Sequence, residues 1–340
     1  MIREPDFNNI LMILDGKIPK RPTLFEFMID DQRVIRESGV SSGLSDLSDF
    51  NDRLAASHIA YRKLGYDFSA VHASLFHFNV SKRAAERSVS MNEGGVITDR
   101  DDLDNYVWNE PEDFSLDPLV RSAEYLEKGM KMMICSPCGV LENVISLVGY
   151  EDLCILLHED EELAGEIFYN VGTRLIRYFR SILDFPFVGG IISNDDWGFN
   201  TQTMLSPEMM RKYVFPYHQQ IVSDSHAKGK PAVLHSCGNF RMILDDITDV
   251  MKFDGRHSYE DNICAVEEAY EMLNGRIAVL GGIDLGMLIS AEPDKIRERS
   301  IRMLERSAYR GGYALGSGNS ITEDIPEVNF KAMTDSVLES

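Results

Sequence analysis

Eight short apolar runs, each closing on polar residues and each followed by a stretch of helical period, restrict this chain more than any other feature. They are Arg21–Asp30, Asp67–Ser74, Lys131–Cys138, Phe187–Trp197, Lys230–Asn239, Phe253–Asp261, Arg276–Asp284 and Gly312–Ser320. The runs are continuous rather than alternating, as strands covered on both faces must be. The segments between them read as amphipathic helices with usable ends. Ser206-Pro207-Glu208 offers a capping hydroxyl and then proline at the first helical position. Met209, Met210, Tyr213, Val214, Tyr217 and Ile221 share one face of that helix, and Gly229 closes it. Pro216 predicts a kink, since it removes a donor and collides with the preceding turn. Pro293 and Pro326 open two further helices, the last turning Phe330, Met333 and Val337 inward. Eight strand–helix units in 340 residues predict an α/β fold, a (β/α)8 TIM barrel. A doubly wound open sheet is the alternative, but it expects a glycine-rich turn after its first strand, and EFMIDDQRV has none.

The segment 75–116 is a long insertion between the second and third strands. Within it, Asn92-Glu93-Gly94-Gly95, between Ser88–Met91 and Val96–Thr98, predicts a β-hairpin tip. No linker rich in Pro, Gly or Ser divides the chain, so residues 1–340 are expected to form a single domain. The 34 basic against 55 acidic side chains leave a net charge of −21, which disfavours nucleic acid or an anionic membrane as partner. No apolar run approaches spanning length, and the opening MIREPDFNNI lacks a basic segment leading into an apolar one. Five cysteines, an odd count, suit free thiols in a reducing cytoplasm.

Barrels of this kind carry their chemistry at the C-terminal ends of the strands. Those ends here hold Glu26, His72, Cys135, Cys138, Asn194-Asp195-Asp196, His235, Cys237, His257, Glu260, Asp284, Ser317 and Asn319. In His235-Ser236-Cys237, imidazole and thiol two residues apart share a face and can hold one borderline ion such as zinc. Glu260, at the end of the next strand, is the expected third ligand, leaving an open position for substrate. For His257, a ligand role and pairing with the neighbouring strand both stand. Cys135-Ser136-Pro137-Cys138 ends a strand rather than opening a helix, which argues for barrel packing over redox chemistry. Only one of Asp195 and Asp196 can face the barrel axis. Helix capping competes there with a role beside substrate or metal.

Four segments together resemble the uroporphyrinogen decarboxylase superfamily over nearly the whole chain. They are NNILMILDGKIPKRPTLFEF, NDDW with SPEMMRKYVFPYHQQI after it, HSCGN, and GYALGSGNSITEDIPEVNFKAM. Within that superfamily the chain looks most like the corrinoid-dependent branch, which includes methylcobamide:coenzyme M methyltransferases and methoxyarene O-demethylase methyltransferases. The zinc layout is also similar to that of cobalamin-independent methionine synthase. The resemblance implies Zn2+ held by His235, Cys237 and Glu260, and methyl transfer between a small methylated substrate and a partner protein carrying the corrinoid. The substrate is expected to be a methoxyarene, a methylamine or similar. Asp195, Asp196, Glu26 and His72 are then expected to position substrate or move a proton, with His257, Ser317 and Asn319 binding it.

Gly316-Ser317-Gly318 departs from the pattern, since the methyltransferases place Cys there and the porphyrinogen decarboxylases His. The fourth metal position is therefore expected to be open or filled by another rim group. A decarboxylase-type lyase is the alternative, but Glu26, Asp30 and Asp31 stand where it would need arginines, and Ser74 replaces its catalytic Asp. A non-catalytic barrel binding a methylated metabolite is the third reading, motivated by Ser317.

Overall fold

The computed structural model describes residues 3–39, 49–80, 91–92, 95–273 and 275–339. Seven of the eight expected runs form strands of one parallel sheet. These are β1 Phe68–His72, β2 Lys131–Cys135, β3 Val188–Asn194, β4 Ala232–His235, β5 Gly255–His257, β6 Ala278–Leu280 and β7 Tyr313–Ala314. Their spatial order is their sequence order, β1 through β7, and every neighbouring pair is parallel. That is the order expected of a TIM-barrel-like sheet, in which each crossover returns beside the strand it left. Ile134, Ile191, Val233 and Leu234 are wholly buried, as the continuous apolar runs require.

The strands stop earlier than the apolar runs suggest. The polar residues after Cys135, Asn194, His235 and His257 are turns on the rim, where the ladder gives way to site geometry. The run Arg21–Asp30 is not a strand. It touches the last strand's side of the sheet through two parallel bridges, Leu24 with Leu315 and Ile29 with Ile321. Between these bridges the backbone ladder is interrupted, because the Ser317 N–H donates to the side chain of Glu26 at 2.8 Å.

The helices follow their capping signals. Ser206 accepts from the Met209 N–H, and the helix breaks at Val214, giving Pro207–Tyr213 and Phe215–Ala227 on either side of the expected kink. Asp160 caps Glu161–Arg180 by accepting from the Leu163 N–H. Pro293 opens Pro293–Ser307, and Phe330, Met333 and Val337 of the helix Glu327–Leu338 are buried. In the insertion, the N–H groups of Val96 and Ile97 both donate to the Leu147 carbonyl, and Arg100–Asn105 is helical. The hairpin expected around Asn92-Glu93-Gly94-Gly95 falls partly outside the described residues. No helix among the described residues is long and apolar enough to cross a membrane.

Candidate metal centre

The site is built from register. Asn194 of β3 pairs with His235 of β4, and His235 pairs with His257 of β5, so these three stand in one row across the sheet. Side chains two residues further along an extended chain return to the same face. Asp196 and Cys237 therefore meet one level above Asn194 and His235. The Cys237 N–H donates to Asp196 Oδ1 at 2.7 Å and ties the two rim turns together. One donor atom each from Asp196, His235 and Cys237 lies within 4.8 Å of the others, as a shared ion requires.

A tetrahedral zinc with sulfur at about 2.3 Å and imidazole nitrogen at about 2.0 Å sets those two atoms roughly 3.6 Å apart. His235 Nε2 and Cys237 Sγ stand 3.9 Å apart, so a contraction of a few tenths of an ångström completes the arrangement. His235 is buried and its ring stacks on Phe27 at 4.0 Å between centroids, 22° from parallel, which fixes the plane of the imidazole. The sulfur also accepts from Asn319 Nδ2 at 3.2 Å and lies 3.8 Å from the Ser258 hydroxyl. Burial, and then the negative charge of Asp196, push the Cys237 thiol upward, and burial holds His235 well below the ordinary histidine value.

Glu260 is not among the converging donors. It follows the end of β5 at odd spacing from His257, in a turn where its carbonyl accepts from the N–H groups of Ile263 and Cys264. Its side chain lines a cavity of about 630 Å³ that also meets Cys237, Tyr259, Asp284 and Asn319. The carboxylate that does lie beside His235 and Cys237 is that of Asp196.

Asp195 turns the other way. Wholly buried, it accepts from the N–H groups of Leu141 and Glu142, both at 3.0 Å, and so caps the helix Val140–Val148 from a different strand. It also meets His218 Nε2 at 2.8 Å, and His218 Nδ1 lies 3.0 Å from the Ser193 hydroxyl. This Ser–His–Asp array has the residue types of a hydrolase triad, but all three side chains are at most 1% exposed, so it braces a helix and presents no nucleophile.

Glu26 and Ser317, expected on the open rim, are paired with each other in the interior. Ser317 approaches Glu26 with its N–H at 2.8 Å and its hydroxyl at 2.6 Å, and the same hydroxyl meets the Asn319 carbonyl. One hydroxyl proton cannot serve both oxygens, so the arrangement fits a protonated Glu26, and burial lifts its carboxyl to about 8. This has a pH consequence. A carboxyl raised from 4.5 to about 8 on folding withdraws stability as pH rises between those values, by about 1.4 kcal/mol per pH unit. His58, buried between Ser69 and Ser122 and lowered from 6.5 to about 3, acts with the opposite sign below 6.5. Below 6.5 the lowered histidines, His58 with His72, His235 and His257, oppose Glu26; above it Glu26 acts together with Glu142, whose carboxyl burial and the neighbouring Asp195 and Asp196 also raise to about 8. We expect the urea midpoint to fall between pH 6.5 and 8, and Glu26→Gln to reduce that fall by the equivalent of about 2 kcal/mol, leaving the share of Glu142. A midpoint constant over that window in the unaltered chain would contradict a protonated Glu26.

His72 and Asn194 reach a second cavity, about 620 Å³, whose walls include Phe27, Phe50, Phe76 and Phe78. Phe27 is shared: it lines this chamber and stacks on His235. The His72 Nδ1 atom is buried without a hydrogen-bond partner, and burial lowers the ring below the ordinary histidine value. His257 does not face either cavity and is taken up by its neighbours, Nδ1 by His235 at 2.7 Å and Nε2 by the Ser317 carbonyl at 3.0 Å.

Two contributors carry no signal in the sequence. Phe27 lies in a run that reads as ordinary core. Arg256 is wholly buried, its guanidinium 3.8 Å from the Phe240 ring centre and bonded to the carbonyls of Ser258 and Ser236. It thereby pins the turns that flank Cys237. The spacing that brings in Asp196 is, by contrast, visible once the register is known: Asn194-x-Asp196 lies alongside His235-x-Cys237.

Residues 85–340 match the family model described as uroporphyrinogen decarboxylase (URO-D). The chain belongs to the uroporphyrinogen decarboxylase family. Among solved structures, a methyltransferase from Methanosarcina mazei is similar in fold, with a TM-score of 0.70 over 99% of both chains at 16% identity. An intracellular xylanase from Thermoanaerobacterium saccharolyticum aligns over 84% of this chain and 86% of its own, with a TM-score of 0.43 and 11% identity. That likeness carries no weight here. No curated protein matches the chain. The Asp196–His235–Cys237 group lies at the C-terminal ends of the strands, the face on which TIM-barrel enzymes carry their chemistry.

Proposed function

We propose that this member of the uroporphyrinogen decarboxylase family is a zinc-assisted methyltransferase of the corrinoid-dependent branch. In this reading a methyl group moves between a small methylated substrate and a corrinoid protein docked on the rim. The chain acts as one domain in the cytoplasm. The observation that carries the proposal is the convergence of an imidazole, a thiol and a carboxylate on one point at the strand ends. The structural likeness to a methyltransferase at full coverage supports it.

Asp196, His235 and Cys237 would hold the ion, and Glu260 lines the adjoining cavity that Cys237 also meets. Bound zinc supplies Lewis acidity, polarising a heteroatom or keeping a thiol deprotonated near neutral pH. The aromatic chamber behind Phe27 holds the apolar body of the substrate against the His235 side of the site. His72, neutral and with Nδ1 unpartnered, offers that substrate a hydrogen bond or takes its proton. Asn319 steadies the Cys237 sulfur through its amide N–H. Ser317 contributes no ligand, because its hydroxyl is held by Glu26. Alignment of donor and acceptor is the larger part of the work in such a displacement.

The test is methyl transfer between methylcobalamin and a panel of small thiols, phenols and amines, followed by loss of methyl–cobalt absorbance. We expect turnover with at least one acceptor, abolished by chelation, restored by zinc, and lowered at least a hundredfold in His235→Ala and Cys237→Ala. Transfer that survives both substitutions would refute the proposal. Decarboxylation of a porphyrinogen by the metal-free chain would favour the lyase reading instead.

A further inference from the structure

We infer that His257 is a positioning residue for the metal site, which sets the ring of His235 so that its Nε2 lone pair, and no proton, faces Cys237 and Asp196. This rests on the reading of His235 as a ligand. The Ser317 carbonyl can only accept, so His257 Nε2, 3.0 Å away, must carry a proton. The two Nδ1 atoms of His257 and His235 lie 2.7 Å apart and share a single proton between them.

If that proton sat on His257 the ring would be a cation. His257 is wholly buried, adjacent in sequence to the equally buried Arg256, and no carboxylate lies within ion-pair distance of either ring nitrogen among the described residues. A second uncompensated charge there is strongly unfavourable. The proton therefore belongs to His235 Nδ1, His257 Nδ1 accepts it, and His235 is left with an unprotonated Nε2, 3.9 Å from the Cys237 sulfur. The chain Ser317 C=O, His257, His235 thus selects the one imidazole tautomer that can bind an ion at that corner. It also raises the ligand's basicity, as a hydrogen bond to the remote ring nitrogen does.

Register supplies the geometry. His235 and His257 are paired residues of adjacent parallel strands, so their side chains leave the sheet on the same face at the same level. The Ser317 carbonyl accepts from the Gly282 N–H at 2.8 Å and has a second lone pair for His257, while Glu26 holds the turn by the Ser317 N–H and hydroxyl.

The test compares His257→Leu with His257→Gln. Glutamine carries one acceptor and one donor on its amide and can reproduce both bonds, while leucine can reproduce neither. Zinc affinity by competition with a chromophoric chelator should fall 10- to 100-fold in His257→Leu, the usual cost of losing such a partner, and recover to within about threefold in His257→Gln. Far-ultraviolet dichroism and the urea midpoint check that both variants fold. Nitrogen-15 histidine spectra of the unaltered metal-free chain give a readout independent of the variants, with His235 expected as the Nδ1–H form and His257 as the Nε2–H form. Reversed tautomers, or equal zinc affinity in all three proteins, would overturn the inference. A chain that binds no zinc at all while showing the expected tautomers would instead overturn the proposed function.

Discussion

Asp196→Asn should weaken zinc binding at least a hundredfold, while Glu260→Gln should change it by less than about threefold. The loss exceeds the 10- to 100-fold typical of a supporting partner because Asp196 would supply both a ligand oxygen and a formal charge. The amide still accepts the Cys237 N–H, now made at 2.7 Å to Oδ1, so the rim turn should survive and the effect should read as ligation rather than collapse. Glu260 lines the adjoining cavity and is absent from the converging group, so its substitution should alter how substrate enters more than how metal is held. Chelator competition on the two variants decides the matter. A larger loss in Glu260→Gln would move the third ligand back to the position that the family resemblance implies.

The second large effect concerns folding. Asp195→Ala should cost about 3–5 kcal/mol, the range found when one member of a buried polar network is removed. The change strands two amide donors at the start of the helix Val140–Val148 and leaves His218 Nε2 with no counterpart. Gly139→Ala should be severe for a related reason. A Cβ there would stand 2.0 Å from the Cβ of Asp195, and neither the buried carboxylate nor the helix start can retreat. Urea unfolding of both variants measures this. Losses below about 1 kcal/mol would mean that the Asp195 cap contributes little.

Much of this was legible in the chain. Seven of the eight apolar runs are strands, and each occupies its sequence place in the sheet, because continuous Val/Ile/Leu runs have few ways to be covered on both faces. His235 and Cys237 were legible for a local reason, since two-residue spacing on a strand end dictates a common face. What was not legible depends on contacts between segments far apart. Asp195 and Asp196 are neighbours with the same side chain, and only the helix start at Leu141 and Glu142 decides which turns inward. Arg21–Asp30 reads as a strand, but its middle is diverted where Glu26 accepts the Ser317 N–H, some 290 residues away. Ser317 fits neither family pattern as a ligand, and its place in the fold explains this: its polar atoms serve Glu26, and its carbonyl serves His257.

Zinc-edge X-ray absorption on the metal-loaded chain probes the centre most directly. One sulfur neighbour at about 2.3 Å with the remaining scatterers nitrogen and oxygen at about 2.0–2.2 Å is the expected shell, and the sulfur should vanish in Cys237→Ala. A shell of oxygen alone, or one whose sulfur persists in that variant, would mean that the ion sits elsewhere on the molecule.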